Sequence, residues 1–271
     1  HLMDRIQLHV GDLTDQPSLE GVFRSVQPTH IWHLGAQSFV GASFNTPIAT
    51  SEVTGLGTLR VLESARTVCP EARIYIASSS EMFGSSESQS LSLYRPASPY
   101  GIAKVFSHHI AGLYREAYGM WIARSTNFNH ESERRGEEFV TRKITMAVAR
   151  ATREPVTLEL GNLSAIRDWS YAPEVMEAAI DAMETADPLD HVVGSGVGHS
   201  VQEFLALALG LGEVAGRLRV DVDDNQYRPL DISRLVADCP TTRTQVTFED
   251  IVRRMVEADI ERLHPLNHRT V

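Results

Sequence analysis

The chain has 271 residues, 42% of them hydrophobic and 22% charged, which is enough for one large core, or one core with a smaller annexe, of an ordinary soluble globule. Its net charge of −10 argues against a sequence-blind grip on nucleic acid, although local arginines can still receive a small anion. The two cysteines, Cys69 and Cys239, lack metal spacing and are too few for a disulfide framework; no apolar run approaches the roughly 18 residues of a membrane span and no signal peptide is visible, so a cytoplasmic protein without a membrane partner is expected.

The chain opens at "HLMDRIQLHVGDLTD", in which Gly11, Asp12 and Leu13 read as the end of a strand. Residues 29–38, "THIWHLGAQS", read as a short buried strand ending in Gly35 and Ala36. Residues 55–68 place Leu56, Leu59, Leu62 and Ala65 at helical spacing, and "ARIYIASSSE" repeats the pattern of a strand followed by small polar residues. Strand, helix and strand in this order imply parallel strands. A helix over 99–118 and a further strand in "MWIARSTNFN" extend the series. The first 150 residues therefore suggest a Rossmann-like, doubly wound parallel α/β sheet, whose ligands lie outside the carboxyl ends of the strands. Both "LGAQS" and "ASSSE" fall at such ends. A dinucleotide fold should also begin with a strand and a glycine-rich turn, and no GxGxxG or GxxGxxG occurs here. Either the first βαβ portion lies outside this sequence, leaving a vacant first-strand position, or the cofactor inference fails.

Residues 151–271 read as a smaller C-terminal substrate-binding region, interleaved with the first. Helices are expected over 139–151, 172–185 and 200–209, with a strand in "PVTLELGN". "EVAGRLRVDVDD" and "TRTQVTFED" run on where loops are expected.

Tyr100 and Lys104 stand four apart on the expected helix, hence on one face and one turn apart. An ammonium there favours phenolate, lowering the tyrosine from about 10 towards the working range, so that Tyr100 can take a proton from a carbinol as hydride leaves the same carbon. YxxxK alone is frequent by chance; its place after a serine-rich strand end gives it weight. Ser79 is either plain turn chemistry or a hydroxyl that bonds the reacting oxygen. Glu81 is either a solvated loop carboxylate or a base beside the oxidised carbon, where a C4 ketone acidifies the C5 proton. "NFNHESERRGEEFVTRK" interleaves Asn129, His130, Arg134, Arg135, Arg142 and Lys143 with carboxylates: a charged loop or a phosphate site. Arg167 and Arg228, with Asp231 behind the latter, add two further arginine positions, which suits a ligand with several phosphates. His30 and His33 read as structural.

The pieces "LHVGDLTD", "HLGAQSFV", "GLGTLRVLE", "ASSSEMFG", "SPYGIAK", "REAYG", "FNHESERRGEEFVTRKI", "LGNLSAIRDW" and "YRP" stand together in one order from residue 8 to about 236. In them the chain resembles the GDP-mannose 4,6-dehydratases of the extended short-chain dehydrogenase/reductase group. The resemblance implies NADP as cofactor, a nucleotide sugar such as GDP-mannose as substrate, and self-association as a dimer or tetramer. It places Asp12 and Leu13 near the adenine, and Leu34, Gly35, Ala36, Gln37 and Ser38 along the cofactor. It makes Tyr100 and Lys104 the redox pair, Glu81 the elimination base and Ser79 the hydroxyl on O4. His130 and Arg135 become cofactor contacts across a subunit boundary. Lys143, Arg167 and Arg228 become contacts to the substrate diphosphate, with Asn129 and Asp231 beside them. The sequence departs from the family at Ser79, where threonine is common, at Glu133, which replaces a proline, and at Asp231, which replaces a glutamate. A 4-epimerase or 4-keto reductase is the alternative within the superfamily, and a non-catalytic dinucleotide sensor the alternative outside it.

Overall fold

A computed structural model describes residues 3–84, 94–214, 216–223 and 228–264. The chain divides into two units, residues 1–126 with 179–191, and residues 127–178 with 192–271.

The first unit carries α1 (Gln16–Val26), β1 (His30–His33), α2 (Val40–Asn45), α3 (Pro47–Thr50), α4 (Gly57–Val68), β2 (Arg73–Ser79), α5 (Pro99–Tyr118) and β3 (Ile122–Asn127). β1 and β2 are parallel, pairing His30 with Arg73 through His33 with Ile76, and β2 lies between β1 and β3. Alternation along β2 sends Ile74 and Ile76 into a core with Leu62 and Ala65 of α4 and Ala111 and Tyr114 of α5. Tyr75 faces the other way, onto Ala179 and Met183. The bounds of α5 are written locally: the Ser98 hydroxyl accepts from Gly101 N, Pro99 opens the first turn, and Gly119 closes the helix at φ 67°.

Two expectations need correction here. β1 is not a buried strand throughout: Trp32 is 42% exposed, because β1 is the last strand of its sheet. Residues 6–13 form no strand, so Gly11, Asp12 and Leu13 do not end one, although Ile6, Leu8 and Val10 alternate as in a strand; Val10 is 97% exposed. No described strand pairs with them, and backbone without a ladder partner turns to other groups, as where Asp12 N donates to Ser18 Oγ at 2.9 Å.

The second unit carries β4 (Asn129–Glu131), α6 (Val140–Ala151), β5 (Val156–Leu160), β6 (Ile166–Tyr171), the first part of α7 (Ala172–Glu184), the end of β7 (Asp190–Gly194), β8 (Gly198–Ser200), α8 (Val201–Gly212), β9 (Leu218–Val222), β10 (Arg234–Leu235), β11 (Thr242–Arg243) and α9 (Phe248–Leu263). β6 is the hub, parallel to β4 and β10 and antiparallel to β8. β5 pairs with β9 and β11 with β7, both in parallel. Ile144, Val148, Phe204, Val252 and Met255 pack with Trp169 in the core of this unit. Trp169 and Phe248 stack at 5.8 Å between ring centroids. α8 begins in a capping box between Ser200 and Glu203. The expected elements omit α1, β6 and β7, as well as β9, which falls where a loop is expected, and α9, the last in spite of Phe248, Ile251, Val252, Met255 and Val256 at helical spacing; the Thr247 hydroxyl accepts from Asp250 N at its start.

Candidate active site

In the first unit the ends of two elements meet. β2 delivers Ser79, and the chain then enters a short 3-10 turn, Ser80–Met82, because the Ser79 hydroxyl accepts a hydrogen bond from Glu81 N at 3.2 Å. Glu81 is 7% exposed and Tyr100 8%. The turn lies against the first turn of α5, where the bare backbone of Gly101 allows it: a Cβ there would fall 2.7 Å from the Glu81 carbonyl oxygen. Ser79, Glu81, Tyr100 and Lys104, expected as one constellation from separate pieces of sequence, are thus carried on abutting segments.

Lys104 is buried, its Nζ donating to Ala77 O at 2.7 Å and standing 5.8 Å from the centre of the Tyr100 ring. Burial pushes the ammonium down from 10.5 to about 8. His33, also buried, is pushed down to about 3 by burial and by the Lys104 charge; its Nε2 lies 3.0 Å from Thr58 Oγ1. A lysine depressed in this way burdens the folded state fully below about pH 8, and the burden fades as pH rises from about 8 to 10.5. Lys104→Met is therefore expected to stabilise the ligand-free protein by about 1–3 kcal/mol at neutral pH. Denaturant midpoints of the two proteins should converge across that alkaline window. A variant no more stable than wild type at neutral pH would show that the buried charge is fully compensated.

The segments expected along a cofactor also come together in this unit. Leu13 packs against Gly35, where a Cβ would fall 2.8 Å from Leu13 Cδ1. Asp12 is exposed and held in its turn by Thr14, whose backbone N–H and hydroxyl donate to Oδ1 at 2.7 and 2.8 Å; these bonds, the backbone one foremost, hold the carboxyl below its usual range. Leu34, Gly35 and Ser38 are exposed, Ala36 and Gln37 half-buried, and Gln37 N donates to Thr54 Oγ1. Gly35 is bare because Leu13 packs on it, and the exposed Leu34, Gly35 and Ser38, in the unit that also carries Tyr100 and Lys104, leave the expected dinucleotide contacts open to a ligand.

In the second unit β6 organises the remaining expected residues. Asn129 and His130 on β4 pair with Trp169 and Ser170, two and three positions past Arg167. His130 Nδ1 is 2.8 Å from Phe128 O, and burial lowers the ring's affinity for a proton against that bond. Arg167 is buried, donating to Ile232 O at 2.8 Å and lying 3.6 Å from Asp231 Oδ1. Asn162, not singled out from sequence, donates to Asp231 Oδ2 at 2.7 Å. Arg228 is half-buried ahead of this group, and Lys143 Nζ reaches Glu159 O at 3.3 Å.

The arginine segment splits into different roles. Arg142 points inward, paired with buried Asp259 at 2.8 Å and bonded to the Glu133 and Arg135 carbonyls. Arg135 lies 3.2 Å from buried Glu131 and 3.5 Å over the Phe139 ring. Arg134 remains exposed. Nothing in the sequence marks Glu131 and Asp259 as the partners that make this distinction.

A mostly parallel sheet flanked by helices is a Rossmann-like α/β fold of the short-chain dehydrogenase/reductase kind. The family model described as GDP-mannose 4,6 dehydratase matches residues 1–255. The chain is 39% identical to GDP-mannose 4,6 dehydratase 2 of Caenorhabditis elegans, over 93% of this chain and 74% of that protein. It is 34% identical to GDP-mannose 4,6-dehydratase of Vibrio cholerae, over 94% of this chain and 79% of that protein. The chain belongs to the GDP-mannose 4,6-dehydratase family, and is thereby a hydro-lyase. Among solved structures it is similar to a Thermus thermophilus UDP-glucose 4-epimerase in complex with NAD, with a TM-score of 0.80 and 27% identity over 92% of this chain and 83% of that one. RMD of Pseudomonas aeruginosa, complexed with NADPH, shares the fold at a TM-score of 0.81 and 20% identity, over 94% and 88%.

Proposed function

We propose that the protein converts GDP-D-mannose to GDP-4-dehydro-6-deoxy-D-mannose and water with NADP as cofactor. The observation that carries this reading is Glu81, held in a turn directly behind Ser79 and against the first turn of the helix bearing Tyr100. An epimerase or ketoreductase needs the redox pair alone; a carboxylate at the neighbouring carbon serves elimination. The names of the curated relatives support the sugar and the nucleotide.

A nicotinamide dinucleotide held in the first unit would supply the chemistry of moving a hydride from C4 of the sugar to C6. Tyr100 takes the proton of the C4 hydroxyl, its phenolate favoured by Lys104, while the Ser79 hydroxyl bonds O4. The resulting ketone acidifies C5. Glu81 removes the C5 proton and passes it to the C6 hydroxyl, which leaves as water as the C5–C6 double bond forms. Once C6 is reduced, the proton taken by Tyr100 restores C5, so atoms and electrons balance and the cofactor ends as it began. In this reading the first unit binds the dinucleotide. Lys143, Arg167 and Arg228, in the second unit, are the proposed contacts to the substrate diphosphate, with Asn129 and Asp231 as further substrate contacts. His130 and Arg135 are the proposed contacts to a cofactor across a subunit boundary.

The test is to incubate purified protein with GDP-mannose and substoichiometric NADP+ or NAD+, following mass. Loss of one water, faster with NADP+, is expected; an isomer of unchanged mass would establish the epimerase alternative. The same reading has the protein self-associate as at least a dimer, with Arg134 and Arg135 near a neighbouring subunit's cofactor. Light scattering at micromolar concentration checks this, and a monomer would contradict it.

A further inference from the structure

α5 presents Tyr100, Lys104 and His108 at four-residue intervals, and all three are buried on one face. Lys104 Nζ donates to Ala77 O at 2.7 Å; one turn on, His108 Nδ1 lies 2.8 Å from Ser78 Oγ. Ala77 and Ser78 are the two residues before Ser79. Successive turns of the helix that carries the redox pair are thus tied to successive residues of the strand that delivers the active hydroxyl. His108 is held in turn by other elements. Arg124 of β3 donates from Nη1 to the His108 carbonyl at 2.8 Å, and is itself ion-paired with Asp190. The Tyr94 ring meets the imidazole edge-on, 5.6 Å between centroids, and His109 does so at 6.0 Å.

We propose that His108, bonded to Ser78, is a positioning residue for the reaction: it fixes the register of α5 on β2, and with it the Tyr100 hydroxyl relative to Ser79. This inference rests on the dehydratase reading. The Lys104 bond alone sets the register loosely, because its donor sits on a flexible stem of four methylenes. A planar ring with only two rotatable bonds, packed on all sides, holds a fixed distance. Burial pushes His108 down to about 3, so the ring is neutral throughout the ordinary assay range and its bond to Ser78 does not come and go there. Neither Ser78 nor His108 takes a proton from substrate, so their effect should lie in geometry. A misplacement of about 1 Å between reacting groups costs on the order of 10²-fold in rate.

The full chain is assayed as wild type, His108→Ala, His108→Asn and Ser78→Ala; the asparagine amide can meet Ser78 from about the place of Nδ1. His108→Ala and Ser78→Ala are each expected to lower kcat about 10-fold or more, with KM within about 3-fold of wild type. His108→Asn should recover most of the loss, and the Ser78→Ala change made on top of His108→Ala should add little. Unchanged kcat, an effect confined to KM, or no recovery in His108→Asn would overturn the proposal. A second readout needs no substrate: amide hydrogen exchange over the first turns of α5, from Tyr100 to Lys104, should shift to faster rates in His108→Ala and return in His108→Asn. No shift overturns the positioning role. A wild type inert on GDP-mannose that nevertheless shows the shift contradicts the proposed substrate and leaves the positioning role supported.

Discussion

Glu81→Gln is expected to stop water loss while leaving oxidation of the sugar intact. In the proposed mechanism, removing hydride from C4 calls on Tyr100, Lys104 and the cofactor, and on no carboxylate. Elimination calls on a base at C5, and a positioned general base contributes about 10²- to 10⁴-fold. Glutamine keeps the size of the side chain and its capacity for hydrogen bonding, and the turn that holds residue 81 is fastened through its backbone N–H to Ser79, which the substitution does not touch. Mixed with GDP-mannose and NADP+, the variant should accumulate the near-ultraviolet absorbance of reduced nicotinamide, while release of water falls by roughly 10²-fold or more. If the variant dehydrates at nearly the wild-type rate, Glu81 is not the base.

Tyr100→Phe should give the complementary result. Without the hydroxyl no group takes the C4 proton, so neither reduced nicotinamide nor water should form, with kcat down by about 10²- to 10⁴-fold. KM should change little, because the ring remains and the diphosphate contacts assigned to the second unit are untouched. Calorimetric affinity for GDP-mannose close to wild type, beside a lost single-turnover signal, would confirm a group that acts in the chemical step. Retention of reduced nicotinamide in this variant would remove Tyr100 from its role.

The two variants probe the part of the site most legible in the sequence. Tyr100 and Lys104 are proposed from their spacing together with the serine-rich strand end before them, on a helix whose limits, residues 99–118, are fixed by Ser98, Pro99 and Gly119, all local signals. Ser79 and Glu81 stand at and just past the end of a strand, a place that by itself leaves ordinary turn chemistry open for both. What was not legible depends on partners distant in sequence. Trp32 sits in an apolar run, and only the order of strands makes β1 an edge. Ile6, Leu8 and Val10 carry the alternation of a strand, but alternation cannot supply a neighbour to pair with. Arg134, Arg135 and Arg142 look equivalent on the page; Glu131 and Asp259 decide that the last is an internal strut, the second half-committed and the first exposed. The same holds for His108. Its four-residue offset from Lys104 could have marked it as facing β2, yet only the structure shows Ser78 waiting there.

The central claim, that hydride leaves C4 and returns to C6 of the same sugar around an elimination by Glu81, is tested most directly by GDP-mannose carrying deuterium at C4. The wild-type protein with a trace of NADP+ is expected to release a product lighter by one water, with the deuterium at C6. A product of unchanged composition with the deuterium still at C4, or a dehydrated product from which the deuterium has been lost, would contradict it.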